Sequence, residues 1–380
     1  MKIMLSAGEA SGDLHGARLA EELKRQMPDA QLMGFGGDRM AEQGVCLWQN
    51  FKDYNVMGVW EVLVGLRRIW ELLGNLTDRM REERPDVLVI IDYPDFNSRL
   101  GKRAKKMGIP VFSYIPPSAW AWRKGRAKSY AGFADEIVTI FPFETKPYEE
   151  AGANVSFLGN PLVEAVKPSL SREEARSFFG VGEDEHSLLL LPGSRRQEIR
   201  LVFPAMLEAA KLLLEKHPGT RFWLPVADGI DEEMLRTMIS SAGVPVSLVH
   251  EYRYDLMGLA DAALATSGTV LVEAALMGLP CVILYRMAKL NYFIGKMLVH
   301  VENIGLPNIL LGRRTQTELL QEEMKPARIA EEAERLYRGE AHREEVVQSL
   351  REVRRILGEP GAAARIAARI LAVAGRGGKP

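Results

Sequence analysis

The sequence predicts an α/β protein with two doubly wound, Rossmann-like parallel sheets, one in each half, facing across a cleft. Three observations lead there. Short apolar runs recur along the chain, bounded by Gly, Pro, Asp or Ser and separated by amphipathic stretches, as strands buried on both faces by helices require. The runs fall into two series divided by a polar stretch. A chain of 380 residues is also too long for one ordinary core, and its size favours two domains of about 150 to 200 residues each.

Taken in order, the first series of strands is 2–6, 31–35, 87–92, 110–115 and 136–141. Leu158 to Pro161 and the polar Lys167 to Glu174 then read as a hinge, which places an N-terminal domain at 1–163 and a C-terminal domain at 164–361. The second series is 187–192, 221–226, 246–250, 262–266 and 281–286. From Pro326 onward the pattern is helical, interrupted at Gly358 to Gly361 and resumed as a small-residue amphipathic helix at 362–374. Residues 375–380 read as a frayed tail. No repeat of about 20 to 50 residues recurs, so solenoids and propellers are excluded.

Composition narrows the class of function. The 47% apolar and 26% charged residues match folded proteins and argue against extended disorder. A net charge of −1 excludes a globally basic nucleic-acid binder. Cys46 and Cys281 are the only cysteines, too few and too far apart for a disulfide framework, which fits the cytoplasm. Met1-Lys2 leads directly into a strand with no secretory signal. The most apolar long window, Val56 to Leu73, is broken by Glu61, Arg67, Arg68 and Glu71, so no spanning helix is expected.

Ligands of open α/β sheets sit outside the carboxyl ends of the strands, so the chemistry belongs on the loops that follow them. The most informative is Ser267-Gly268-Thr269, where a strand passes straight into a helix. The first turn of a helix presents unpaired N–H groups and the positive end of its dipole, a site for phosphate. Ser267 and Thr269 add hydroxyl donors, Gly268 permits close approach, and Glu273, one turn on, could accept both hydroxyls of a ribose. The competing reading is an N-capped core helix with Glu273 in solvent.

Other strand ends carry comparable groups. Residues 6–16 hold Gly8, Ser11, Gly12, Asp13 and Gly16, a spacing that is not the dinucleotide fingerprint and so removes the main support for an oxidoreductase. It reads equally as room for a sugar or acyl group and as a tight strand-to-helix turn. Asp92 and Asp95 follow the strand Val87 to Ile91, where a carboxylate can act as general base. Asp95 also reads as a helix cap, and two carboxylates alone make a weak magnesium site; no metal is expected. Pro116, Pro117, Ser118, Trp120, Trp122, Arg123 and Arg126 form a surface able to stack on a sugar and pair with a phosphate, although tryptophans are more often core. Ser194, Arg195 and Arg196 follow another strand without the ending of a Walker A loop, so ATP hydrolysis is not indicated and Arg195 is placed to meet a departing diphosphate. Solvated helix-start residues are the alternative.

Residues 56–73 also carry Trp60 and Trp70, and cations recur at Arg99, Lys102, Arg103, Lys105 and Lys106. That mixture suits an anionic lipid interface, while a core helix with a charged edge is the plainer reading.

Seven blocks can be named together: GEASGD at 8–13, VMGVWEVL at 56–63, IDYPDFN at 91–97, PPSAWAWR at 116–123, LPGSRRQEI at 191–199, SGTVLVEAALMG at 267–278 and LPNILLGR at 306–313. In this order they resemble the lipid-A-disaccharide synthases. The resemblance implies a GT-B glycosyltransferase with no cofactor. It would transfer 2,3-diacylglucosamine from UDP to 2,3-diacylglucosamine 1-phosphate, with inversion and a β-1,6 linkage, at the inner membrane surface.

It implies Asp92 as base, and Ser194, Arg195, Ser267, Gly268, Thr269, Glu273 and Asn308 on the UDP-sugar side. Gly8, Ser11, Asp13, Ser118, Trp122 and Arg123 fall on the acceptor side. The C-terminal helix would pack back on the N-terminal domain, and a homodimer is compatible. One departure is Gly305, where the family leads one to expect Ser. The alternatives are a UDP-sugar epimerase of the same superfamily and a non-catalytic binder of nucleotide sugar or lipid.

Overall fold

A computed structural model describes residues 1–54, 61–120, 125–227, 229–287 and 302–377. The chain divides into two compact units, Met1–Pro161 with Glu359–Pro380, and Leu162–Gly358.

The first unit is a seven-stranded parallel sheet: β1 (Lys2–Ala7), β2 (Gln31–Gly36), β3 (Cys46–Asn50), β4 (Val87–Ile91), β5 (Val111–Tyr114), β6 (Glu136–Thr139) and β7 (Val155–Phe157), in the order β3-β2-β1-β4-β5-β6-β7. Successive side chains of a strand point to opposite faces, and here both faces are covered. Ile3, Leu5, Val87, Val89 and Ile91 pack into one core beneath the helix Ala10–Gln26. Met4, Leu88 and Ile90 pack into the other, beneath the helices Glu61–Glu83 and Pro94–Lys106.

The last helix, Ala362–Gly377, belongs to this unit. Ile366, Ala367, Ile370, Val373 and Ala374 form a helical stripe that joins the first core. Arg369 Nε donates to Glu136 Oε1 at 2.7 Å, and Gln26 Nε2 donates to the carbonyl of Ala364 at 2.9 Å.

The second unit repeats the plan with six parallel strands: β8 (His186–Leu191), β9 (Thr220–Pro225), β10 (Val246–Val249), β11 (Ala262–Thr266), β12 (Cys281–Tyr285) and β13 (Glu318–Leu320), ordered β10-β9-β8-β11-β12-β13. All ten strands expected from the sequence are present. The three added, β3, β7 and β13, all lie at sheet edges.

In both sheets the order reverses beside the first strand, between β1 and β4 and between β8 and β11. Loops leaving two such neighbours in opposite directions open the crevice in which ligands bind. No helix among the described residues is long and apolar enough to cross a membrane.

Candidate functional site

In the second unit the loops after β8 and β11 meet at the switch point. The β8 turn passes through Gly193 at φ +110°; a Cβ there would lie 2.7 Å from Glu198 Oε2 and 3.1 Å from Thr266 Cγ2, so backbone conformation and space both demand glycine. Ser194 and Arg195 follow, exposed. Arg195 stands at the cap position of the helix Arg196–Lys216 and its Nη1 lies 2.8 Å from Glu198 Oε1. Two cations beside a helix start are disfavoured by its dipole, so Glu198 in the first turn provides partial compensation.

After β11, Ser267 Oγ donates to the Ile304 carbonyl at 2.8 Å, and Thr269 stands at the N-cap position of the helix Val270–Leu276 without a side-chain capping bond. A Cβ on Gly268 would meet nothing within 4 Å, so packing leaves the space beside it open. Glu273 Oε1 accepts from Tyr254 Oη at 3.2 Å and Arg253 Nη2 at 3.4 Å. Burial pushes its carboxyl up, while Arg253 and Tyr254 pull it down. Gly193, Ser194, Arg195, Ser267, Gly268, Thr269 and Glu273 line one cavity of about 330 Å³.

Asn308, expected on the same side, does not line this cavity. It is fully buried. Its Nδ2 donates to the Gln316 carbonyl at 2.9 Å and to Glu318 Oε1 at 2.8 Å, while its Oδ1 accepts from the N–H groups of Thr315 at 2.9 Å and Gln316 at 3.1 Å. Glu318, itself buried, also accepts from the N–H groups of Ile304 and Gly305 at 2.9 and 3.0 Å. The chain Asn308–Glu318–Ile304–Ser267 therefore braces the cavity from behind. A Cβ on Gly305 would stand 2.4 Å from Ile283 Cδ1 on β12, so the tip of that side chain would have to shift.

In the first unit the loops after β1 and β4 meet in the corresponding way. Asp92 and Tyr93 both adopt left-handed backbone, at φ +48° and +49°, a costly pair of conformations for non-glycine residues. Asn97, fully buried, holds the turn: its Nδ2 donates to the Asp92 carbonyl at 2.8 Å and the Ser6 carbonyl at 3.2 Å, and its Oδ1 accepts from Ser6 Oγ at 2.7 Å. Burial raises the Asp92 carboxyl above its usual range, with the Tyr93 N–H pulling the other way. Asp95 is different, with a side chain 86% exposed and 3.2 Å from Arg126 Nη2. The Tyr93 ring covers Gly8, where a Cβ would lie 2.2 Å from Tyr93 Cδ1.

The other acceptor-side candidates separate. Ser11 is exposed in the first turn of its helix. Asp13 is buried and accepts from the N–H groups of Gly37, Arg39 and Met40 at 2.8, 3.2 and 3.1 Å. It thus caps the helix Asp38–Glu42 from a distance. Ser118 is exposed after β5. Trp122 and Arg123 lie outside the described residues.

Sequence reasoning missed Glu144, which follows β6 and is buried. Ser118 Oγ lies 3.4 Å from its Oε1. Burial pushes its carboxyl up to about 7, and the charge of Asp92 adds to the rise. An unfolded Glu loses its proton near 4.5, so between the two values the folded chain holds the extra proton and loses stability as pH rises. In urea titrations the unfolding free energy of the wild type should drop relative to Glu144→Gln by about 3 kcal/mol over that window, then run parallel above it. A constant difference across the window would refute this origin.

Several known proteins share this architecture or sequence. The family model described as Lipid-A-disaccharide synthetase matches residues 3–368. The lipid-A-disaccharide synthase of Myxococcus xanthus is 42% identical over 370 residues, covering 97% of each chain. Among solved structures, MurG of Acinetobacter baumannii superposes with a TM-score of 0.61 at 14% identity, covering 98% of this chain and 99% of that one. A UDP-GlcNAc 2-epimerase from Neisseria meningitidis, solved with UDP-GlcNAc, gives 0.64 at 15%, covering 98% and 100%. At such identities the structural likeness concerns the fold.

Proposed function

The chain belongs to the lipid-A-disaccharide synthetase family, and from that premise we propose how its two units divide the reaction. The protein is a glycosyltransferase. It joins the diacylglucosamine of UDP-2,3-diacylglucosamine to 2,3-diacylglucosamine 1-phosphate and releases UDP. The epimerase alternative has only a distant structural relation to support it.

The cavity beside β8 and β11 takes the UDP. Glu273 accepts from the ribose hydroxyls, the Ser267 and Thr269 loop with its open Gly268 receives the diphosphate, and Arg195 neutralises the charge that grows as UDP departs. Asp92, in the first unit, removes the proton of the acceptor hydroxyl as that oxygen attacks the anomeric carbon. One displacement with no covalent enzyme intermediate gives inversion. A carboxyl raised by burial is a better base near neutral pH than an ordinary one, and strained backbone at its position is a common mark of functional sites. The observation that carries this reading is the gathering of six candidate residues, Ser194, Arg195, Ser267, Gly268, Thr269 and Glu273, in one cavity at a sheet switch point.

Its test is a radiolabel assay with both diacyl sugars, with and without chelator. Disaccharide 1-phosphate and UDP, formed only when both sugars are present, support it. A rearranged free sugar formed without acceptor supports the epimerase, and saturable binding with no product supports a non-catalytic protein.

Access to lipid substrates calls for contact with a membrane surface. Trp70 is 51% exposed on the helix Glu61–Glu83, near exposed Arg67, Arg68 and Arg99, whereas Trp60 lies outside the described residues. Tryptophan with arginine suits the lipid interface. Trp70→Ala should reduce co-sedimentation with anionic vesicles several-fold without moving the melting temperature; unchanged sedimentation would remove Trp70 from membrane contact.

A further inference from the structure

The first unit holds a second cavity that the reaction as described does not use. It holds about 350 Å³ and is lined by Tyr93, the residue that follows Asp92. Ile69, Trp70, Leu73, Tyr93 and Phe96 form its walls, and Glu9, Asp95 and Arg99 are the charged residues among its lining. The left-handed backbone at Asp92 and Tyr93 ties the cavity to the candidate base, because the residue that follows Asp92 supplies one wall. The Tyr93 and Phe96 rings lie 5.6 Å apart. Arg99 lays its guanidinium 4.7 Å above the Trp70 ring, and that ring is half exposed.

Resting on the transferase reading, we propose that this cavity seats one fatty acyl chain of the acceptor sugar. Its volume falls within the range of small-molecule pockets, and apolar walls with a few charged groups suit a ligand with an apolar tail and a polar head. A nucleoside diphosphate does not fit this lining, since two carboxylates oppose its phosphates and the one guanidinium stacks on an indole. The donor's nucleotide is accounted for in the other unit. A chain anchored here would leave its sugar at the mouth, next to the carboxyl that must reach a sugar hydroxyl. Binding energy from a non-reacting part of the substrate would thereby position the reacting one.

The prediction concerns chain length. With acceptors of increasing acyl length, presented in mixed micelles at fixed surface concentration, KM should fall about fourfold per methylene, the equivalent of ~0.8 kcal/mol per buried CH₂, until the cavity is full. Ile69→Trp, which fills the cavity, should end that fall at shorter chains, and Ile69→Ala, which enlarges it, at longer ones. Melting temperatures check that both variants fold.

Superimposable chain-length profiles for the wild type and both variants would overturn the proposal. So would a shift seen only when the donor's chains are varied, or a uniform KM change at every length, which is the signature of altered membrane binding. Absence of any disaccharide from the wild type would instead overturn the transferase reading itself, so the two failures are distinguishable.

Discussion

Replacing Asp92 by Asn is expected to lower kcat by about 10²- to 10⁴-fold, the usual contribution of a general base, with little change in the KM of either substrate. Asn keeps the size of the side chain and leaves untouched the bonds from Asn97 to the Asp92 carbonyl and from the Asp92 N–H to the Tyr114 carbonyl at 3.1 Å, so the turn should hold. What disappears is the proton acceptor. A loss confined to kcat marks an interaction made in the transition state.

The pH profile gives a second reading of the same group. Burial raises the Asp92 carboxyl, so the acid limb of kcat/KM should fall at a pH above that of an ordinary aspartate, and the limb should vanish in the residual activity of Asp92→Asn. Asp95→Asn, at an exposed position paired with Arg126, should leave turnover nearly unchanged. If instead Asp95→Asn abolishes activity and Asp92→Asn does not, the base has been assigned to the wrong carboxylate.

The sheets were legible because their central strands are buried on both faces and therefore apolar throughout, as in Val87–Ile91, where every residue is buried. The strands that escaped, Cys46–Asn50, Val155–Phe157 and Glu318–Leu320, are short edge strands. An edge needs fewer apolar residues, so periodicity gives no signal there. Site loops were legible for a related reason: once the strand order is known, the crevice of each sheet is fixed, beside the ends of β1 and β4 in the first unit and of β8 and β11 in the second.

Sequence does not say which way a polar side chain points. Asp13 sits in a Gly-rich motif that looks built for a ligand, yet its carboxylate serves three backbone N–H groups of the 37–40 turn. Asn308 behaves alike. Both are conspicuous because a buried polar group with several partners is hard to replace, and that is as true of a brace as of a ligand contact. Asn97 lay within a recognised block but was passed over beside the more reactive Asp92. Glu144 gave no signal at all, since its raised carboxyl depends on burial that only the folded unit reveals.

Asn308→Ala separates brace from contact. It removes the acceptor for the Thr315 and Gln316 N–H groups and one donor to the buried Glu318 carboxylate, and each unsatisfied buried group costs about 1 to 3 kcal/mol. A loss of about 3 kcal/mol is expected, lowering the melting temperature of the second unit by about 10 °C. UDP affinity should fall as well, because Glu318 holds the Ile304 and Gly305 N–H groups and Ile304 in turn accepts from Ser267 Oγ. Ser267→Ala should weaken UDP binding without the thermal loss. If Asn308 touched the nucleotide directly, its variant would lose affinity at nearly wild-type stability, and calorimetry of the two variants, with and without UDP, distinguishes these outcomes.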